Sequence, residues 1–451
     1  MEILPSPRKS KLDRVASWAG FAALFSCILA ISYSLFLHWL RHPEAPYVAN
    51  DEPPFGSQGY VVTSNVVAAR ALAFTKDGKI LVAGFSTNSK QFDISVLRFL
   101  SDGKLDISFG ERGISTIDLG GDEQIYALQV GPDERIWVAG EFSTELGEPR
   151  MGIACLLPNG HADPSFGKNG GKLISPKGAS ALARALVLQP DGKLLVAGFA
   201  DRDFKRRFLA ARLTPTGELD NSFGNNGFVE TLVGATHSEA FSLARQEQGR
   251  VLLAGFSQHD DRFDFTLAGF TDSGRLDSDF GDKGIATANF ESYSSYPYAM
   301  QVLPSGAILV GGATGNRENY DFALSQWSSR GVLDPSFGKK GRLSLPIGGS
   351  DDTLYALAVQ PNGKIFAAGS SVVPGFAAAI GLAKFLPSGI LDRWFGTGGR
   401  VLTAPKSFLP NAIGIQRNGK IVVAGNQIDP IVGNVGIFVA RFLPDGSFDA
   451  P

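Results

Sequence analysis

Past Leu40 the apolar residues fall into short runs separated by Gly, Asp, Asn, Ser and Pro, and no stretch there keeps a helical period. The runs repeat. Phe-Gly-x-x-Gly begins at Phe55, Phe109, Phe166, Phe223, Phe280, Phe337 and Phe395, at intervals of 54 to 58 residues. Within each interval the same parts return in the same order. In the third unit, Ala185 to Gln189 and Leu194 to Gly198 flank Asp191-Gly192, then come Phe208 to Leu213 and Gly217-Glu218-Leu219-Asp220. Two β-rich runs joined by Asx-Gly form a strong hairpin signal. It recurs at Asp77-Gly78, Asn362-Gly363 and Asn418-Gly419, with weaker versions at Gln248-Gly249 and Ser305-Gly306. A further short run such as Gly113 to Ile117 follows each Phe-Gly turn. The pattern predicts four short strands per unit.

Four antiparallel strands at this spacing, repeated around an axis, leave few exposed sheet edges. The two ends of the repeat region complement each other. Gly446 to Asp449 matches Gly217 to Asp220, and the Phe-Gly that should follow stands instead at Phe55-Gly56, before Tyr60 to Val62. An N-terminal strand completing the last unit gives an all-β, seven-bladed β-propeller over 55–451. An open solenoid would instead call for capping repeats, and none is evident.

The phrases Leu-x-Pro-Asp-Gly-Lys-Ile-Leu-Val-Ala-Gly and Arg-Phe-x-x-Asp-Gly-x-Leu-Asp-x-Ser-Phe-Gly resemble the delta-60 repeat of bacterial surface and exported proteins, across Phe55 to Pro451. The resemblance implies a propeller-like fold and an extracytoplasmic setting. It implies no activity.

Ahead of the repeats, Val15 to Leu40 is a run of 26 residues without a formal charge at pH 7. As a helix it would extend ~39 Å, beyond the ~30 Å hydrocarbon core of a bilayer. Trp18 and Trp39 stand near its ends, where amphipathic rings favour the interface. Arg8, Lys9, Lys11 and Arg14 precede it and only Arg41 follows closely, so the positive-inside rule keeps 1–14 in the cytoplasm and sends the rest across. A signal-peptide h-region is usually shorter, and no convincing small-x-small cleavage site follows Leu40. Pro43, Pro46, Pro53 and Pro54 make 41–54 a semi-rigid linker. The expectation is a single-pass anchor in the cytoplasmic membrane with the propeller on the periplasmic or extracellular side.

Overall charge and composition add mainly exclusions. Lys and Arg number 42 against 44 Asp and Glu, which gives no general attraction to nucleic acid. Two cysteines exclude a disulfide scaffold or a Cys-rich zinc module. His42, His161, His237 and His259 are scattered over different parts of the chain, without a metal-ligand spacing, and Gly-x-Ser-x-Gly is absent. No cofactor and no metal site is expected.

Residues shared by every unit are expected to serve the blade. Asp106, Asp163, Asp220, Asp277, Asp334, Asp392 and Asp449 each precede a turn whose backbone N–H groups a carboxylate can accept. Residues that differ between units are the candidates for function. The position of Arg98 is taken by Cys155, Arg212, Gly269, Gln326, Lys384 and Arg441, variation expected of solvated blade surfaces, with Cys155 packed as a small apolar residue. Arg202, Lys205, Arg206 and Arg207 form a basic loop suited to an anionic polymer or an acidic partner. Tyr293, Tyr296 and Tyr298 surround Pro297 and suit an interface anchor or a sugar-stacking platform. Asp122-Glu123 and Asp351-Asp352 occupy equivalent stretches, so a shared rim would be chemically mixed. The expected function is a membrane-anchored interaction or scaffolding module whose partner is a protein in or near the membrane, or a glycan. The rival is an exported hydrolase or lyase acting on glycans or another envelope polymer, with carboxylates gathered at the channel mouth.

Overall fold

The computed structural model describes residues 52–451 apart from 65, 88–90, 144–146, 291–293, 317–318, 374–375, 405 and 430. The basic tail, the expected anchor and the linker through 51 lie outside the described residues. Among those described, no helix is long and apolar enough to cross a membrane.

The described chain forms seven four-stranded antiparallel sheets. Six are sequential meanders, such as Ala68–Phe74, Ile80–Thr87, Phe92–Phe99 and Ile114–Ile117. The seventh takes three strands from the C-terminal end, Phe408–Ile415, Ile421–Asp429 and Gly433–Phe442, and its fourth from Tyr60–Thr63. Tyr60 pairs with Ala440 and Thr63 with Ile437, the closure expected from the split repeat. The first strand of each sheet contacts the first strands of both neighbouring blades in an unbroken cycle. Those seven strands therefore surround the axis, and the four-residue strands form the outer edges.

Between sheets lie apolar clusters, one per blade boundary, built from the alternating inward positions of facing strands. Each Phe of Phe-Gly is fully buried in such a boundary. The glycine after it is required by conformation. At Gly224 φ is +55°, and a Cβ there would collide with the carbonyl oxygen of Phe228.

The repeated Asp residues do accept turn N–H groups, as Ser108 N to Asp106 at 3.1 Å and Ser222 N to Asp220 at 3.0 Å. They also hold ion pairs, which corrects the expectation of a solvated surface at the Arg98 position. Arg98, Arg212, Lys384 and Arg441 are all buried. Arg98 Nε donates to Asp106 at 2.9 Å and Arg212 Nε to Asp220 at 2.8 Å. Each then reaches into the next blade, Arg98 to the carbonyl of Pro158 at 2.7 Å and Arg212 to that of Asp272 at 2.6 Å. The guanidiniums also cover the Phe-Gly rings of Phe109 and Phe223, at 4.5 and 4.8 Å from the centroids. These side chains are blade-to-blade latches. Alternation along a strand reveals a residue's face but not that a neighbouring blade covers that face. Cys155 packs fully buried at the same position, and burial pushes its thiol pKa up.

Candidate functional site: the waist of the central channel

Every inner strand carries a β-bulge at the same point, where the register shifts around Arg70, Tyr126, Arg184, Phe241, Tyr298, Tyr355 and Asn411. A bulge leaves one residue unpaired and re-aims its side chain. The glycine of each Val-Ala-Gly-like run faces the bulge across the ladder and makes room for it. A Cβ at Gly84 would collide with the carbonyl of Ala68, and one at Gly198 with that of Leu182. The chain thus spends a glycine in the second strand to bring one side chain of the first into the channel.

These seven half-buried residues form a ring. The guanidiniums of Arg70 and Arg184 both lie against the ring of Tyr126, at 5.9 and 4.2 Å from its centroid. Arg184 also approaches Phe241 at 5.5 Å. Phe241 meets Tyr298 edge to face at 5.3 Å, and Tyr298 meets Tyr355 at the same separation. Asn411 closes the circuit by donating from Nδ2 to the carbonyl of Ala69 at 2.9 Å, while Ala69 N donates to Asn426 Oδ1 at 2.9 Å.

The electrostatics of the ring are one-sided. Nε of Arg70 and Nε of Arg184 are buried without a hydrogen-bond partner among the described residues. Burial holds the Arg70 pKa below its usual value, and the neighbouring Arg184 charge adds to that. Burial likewise raises the pKa values of Tyr298 and Tyr355, with Arg70 opposing the rise at Tyr355. Glu141, half-buried on the second strand of the preceding blade, feels the Arg184 charge, while burial pushes its carboxyl up. None of the seven ring residues is a carboxylate. The arrangement can stack a planar or sugar ring and hold a negative group.

The residues singled out in the sequence fall at differing distances from this ring. Tyr298 belongs to it. Tyr296 lies toward the mouth of the channel, against Phe256, Phe263 and Tyr320, and Tyr293 lies outside the described residues. The tyrosines that are described stand on the inner strand Ser294–Val302, not in a loop. The basic stretch is also strand, with Leu194–Arg202 and Lys205–Leu213 joined by the two-residue turn Asp203-Phe204, both at positive φ. Arg206 pairs with Asp201 and with Glu239 and covers Phe199 at 4.1 Å. Arg202 pairs with Glu230 at 2.9 Å, Lys205 is exposed, and Arg207 is half-buried. Pairing with carboxylates thus spends much of the positive charge that the sequence placed there.

Hydrogen bonds such as Phe92 N to Asp122 Oδ1, at 2.9 Å, tie the loops before the inner strands to the hairpin ends of neighbouring blades, on one rim. On that rim Asp93, Asp118 and Glu123 bring carboxylate oxygens within 4.8 Å of one another and could hold a divalent cation. Burial first, then Asp118 and Asp93, pushes the Glu123 carboxyl up to about 8. Sequence reasoning noticed Glu123 but not its partners, because Asp93 belongs to the preceding blade.

Four segments, 75–109, 131–166, 189–223 and 416–450, match a family model described as a domain of unknown function (DUF5122) beta-propeller. No curated protein sequence matches the chain. Among solved structures, the chain is similar to a polysaccharide lyase, an ulvan lyase, at 8% identity and TM-score 0.49, covering 88% of this chain and 96% of that one. It is similar to Drosophila Semaphorin 2a at 9% identity and TM-score 0.49, covering 87% and 76%. It is also similar to Sqt1 from Chaetomium thermophilum bound to the N-terminus of the ribosomal protein L10, at 13% identity and TM-score 0.46, covering 87% and 100%. Likenesses this distant concern no more than the overall fold, and the DUF5122 beta-propeller model matches four segments of the chain.

Proposed function

We propose that the protein is an extracytoplasmic interaction module, held at the cytoplasmic membrane by Val15 to Leu40, that works by binding a ligand or partner at the channel waist. The carrying observation is the ring of bulge residues: each blade contributes one side chain to a single place, and the set is aromatic and cationic. A ring whose members come from all seven blades is rigid in the way a recognition site needs, because no single loop positions it. The rival reading, an exported glycan hydrolase or lyase, would rest on the rim carboxylates Asp93, Asp118 and Glu123 and not on the ring, none of whose members is a carboxylate.

Two measurements test the proposal. In spheroplasts of a bacterial expression host, added protease should degrade the propeller of the full-length chain and spare a tag on its N-terminus. Affinity recovery from gently solubilised membranes should then yield a partner or ligand that the doubly substituted chain, Arg184→Gln with Tyr298→Ala, no longer retains. A propeller protected inside intact spheroplasts would refute the topology. Recovery unaffected by the double substitution would refute the assignment of the waist.

A further inference from the structure

The geometry points to an acidic sugar residue as the ligand of the waist: a carboxylate carried on a pyranose ring, with the carboxylate between Arg70 and Arg184 and the ring against Phe241, Tyr298 and Tyr355. This rests on the reading of the waist as the binding site and names the chemistry it selects.

The treatment of arginine elsewhere in the chain supplies the first argument. Arg98, Arg212, Arg250 and Arg441 each meet an aspartate at 2.9, 2.8, 2.7 and 2.5 Å. A guanidinium withdrawn from water is ordinarily paired in this way. Arg70 and Arg184 depart from that rule together, on either side of a blade whose own contribution is the neutral phenol of Tyr126. The Nε of Arg207, Arg245 and Arg400 is also buried without an acceptor among the described residues, so what sets this pair apart is that two like charges share one aromatic neighbour. A planar oxyanion would supply one negative charge between the two guanidiniums, in the geometry a guanidinium matches best.

The second argument is the asymmetry of the ring. Its cationic arc, Arg70 to Arg184, continues directly into an aromatic arc, Phe241 to Tyr355, with ring centroids 5.3 Å apart at each step. A simple inorganic anion would use the first arc and leave the second idle. A neutral sugar would use the second and leave the two charges unmatched. A ligand with both an oxyanion and a ring uses the whole set, and half-exposure of the members keeps the site open to solvent.

Calorimetric titration of the full-length protein in neutral detergent micelles tests this with three probes: sodium D-glucuronate, D-glucose and sodium acetate. Glucuronate should bind at least tenfold more tightly than either of the others. Arg70→Gln and Arg184→Gln should each weaken glucuronate at least tenfold, and Arg184→Lys, which keeps the charge but not the planar fork, should fall between. Each Gln variant keeps a polar side chain at a half-buried position, so the unliganded variants should unfold at a urea concentration close to the parent's. A folding defect is therefore not the expected cause of lost binding. Equal affinity for glucuronate and glucose overturns the proposal, as does equal affinity for glucuronate and acetate. So does a failure of all three probes while membrane recovery still depends on Arg184 and Tyr298, and that outcome leaves the binding role of the waist standing. Failure of both experiments removes the site altogether.

Discussion

Arg441 is the place where closing the ring can be measured. It is fully buried and donates to Asp449 at 2.5 Å, to the carbonyl of Ser101 in the first blade at 2.7 Å, and to the carbonyl of Pro53 in the entering N-terminal segment at 2.7 Å. Its guanidinium stands over the Phe55 ring at 5.0 Å. Arg441→Met keeps much of the side-chain volume and removes every one of those contacts. Removing one partner of a buried pair typically costs about 3–5 kcal/mol. The loss belongs near the lower end, about 3 kcal/mol, because Lys420 remains 3.0 Å from Asp449 and keeps that carboxylate partnered. The assay is urea unfolding of the full-length chain with hydrogen exchange read over 53–63. A lower midpoint should accompany faster exchange in the strand Tyr60–Thr63, because its anchorage is released before the rest of the molecule opens. Arg212→Met, an internal latch, should lower the midpoint comparably without loosening that strand. A loss below about 1 kcal/mol, or unchanged protection of 60–63, would refute the view that Arg441 ties the two ends together.

Further outcomes follow from single positions. Because burial raises the Glu123 carboxyl to about 8, the folded state keeps a proton that the unfolded state releases near its ordinary value of 4.5. That contribution to stability is present below about pH 4.5 and lost as pH rises toward 8, with a slope approaching about 1.4 kcal/mol per pH unit. Glu123→Gln should flatten the trend in urea midpoints between pH 5 and 8, and an unchanged slope would count against the burial of Glu123 beside Asp93 and Asp118. Gly224→Ala sets a positive φ against a blocked space, whereas Gly78, at φ +85°, faces open space. Thermal unfolding should show a loss of at least about 2 kcal/mol for the first and about 1 kcal/mol for Gly78→Ala. Phe55→Ala, at a fully buried ring, should lose about 3–5 kcal/mol and loosen the closing strand.

The order of strands, their number and the split last blade were legible because each depends on local chemistry. Asx-Gly marks a hairpin wherever it stands, and Phe-Gly-x-x-Gly marks a turn whose glycines take positive φ. What escaped was set by neighbours 28 residues away or more. Arg98 and Arg441 read as surface because nothing in their own strands shows the next blade's carbonyls arriving to accept from them. The basic stretch at Arg202 to Arg207 read as a free positive patch because Glu230 and Glu239 come from other strands.

The waist had a usable sequence signal of a different kind. Arg70, Tyr126, Arg184, Phe241, Tyr298, Tyr355 and Asn411 each precede the glycine of their own hairpin's second strand by 14 residues. Aligning the units on Gly84 and its six equivalents therefore lines up the whole ring in one column. Its neighbours in that alignment are mostly small or aliphatic, as in Ala69-Arg70-Ala71-Leu72 and Leu354-Tyr355-Ala356-Leu357. The column itself holds arginine, tyrosine, phenylalanine and asparagine. Repetition accounts for the glycine and the small neighbours, since every blade must make the same bulge. It does not account for the side chain the bulge presents, which the fold leaves free to differ from blade to blade. A repeat architecture thus separates the two demands on its sequence: what recurs builds the ring, and what varies at one fixed offset inside it is where selection for a ligand can act.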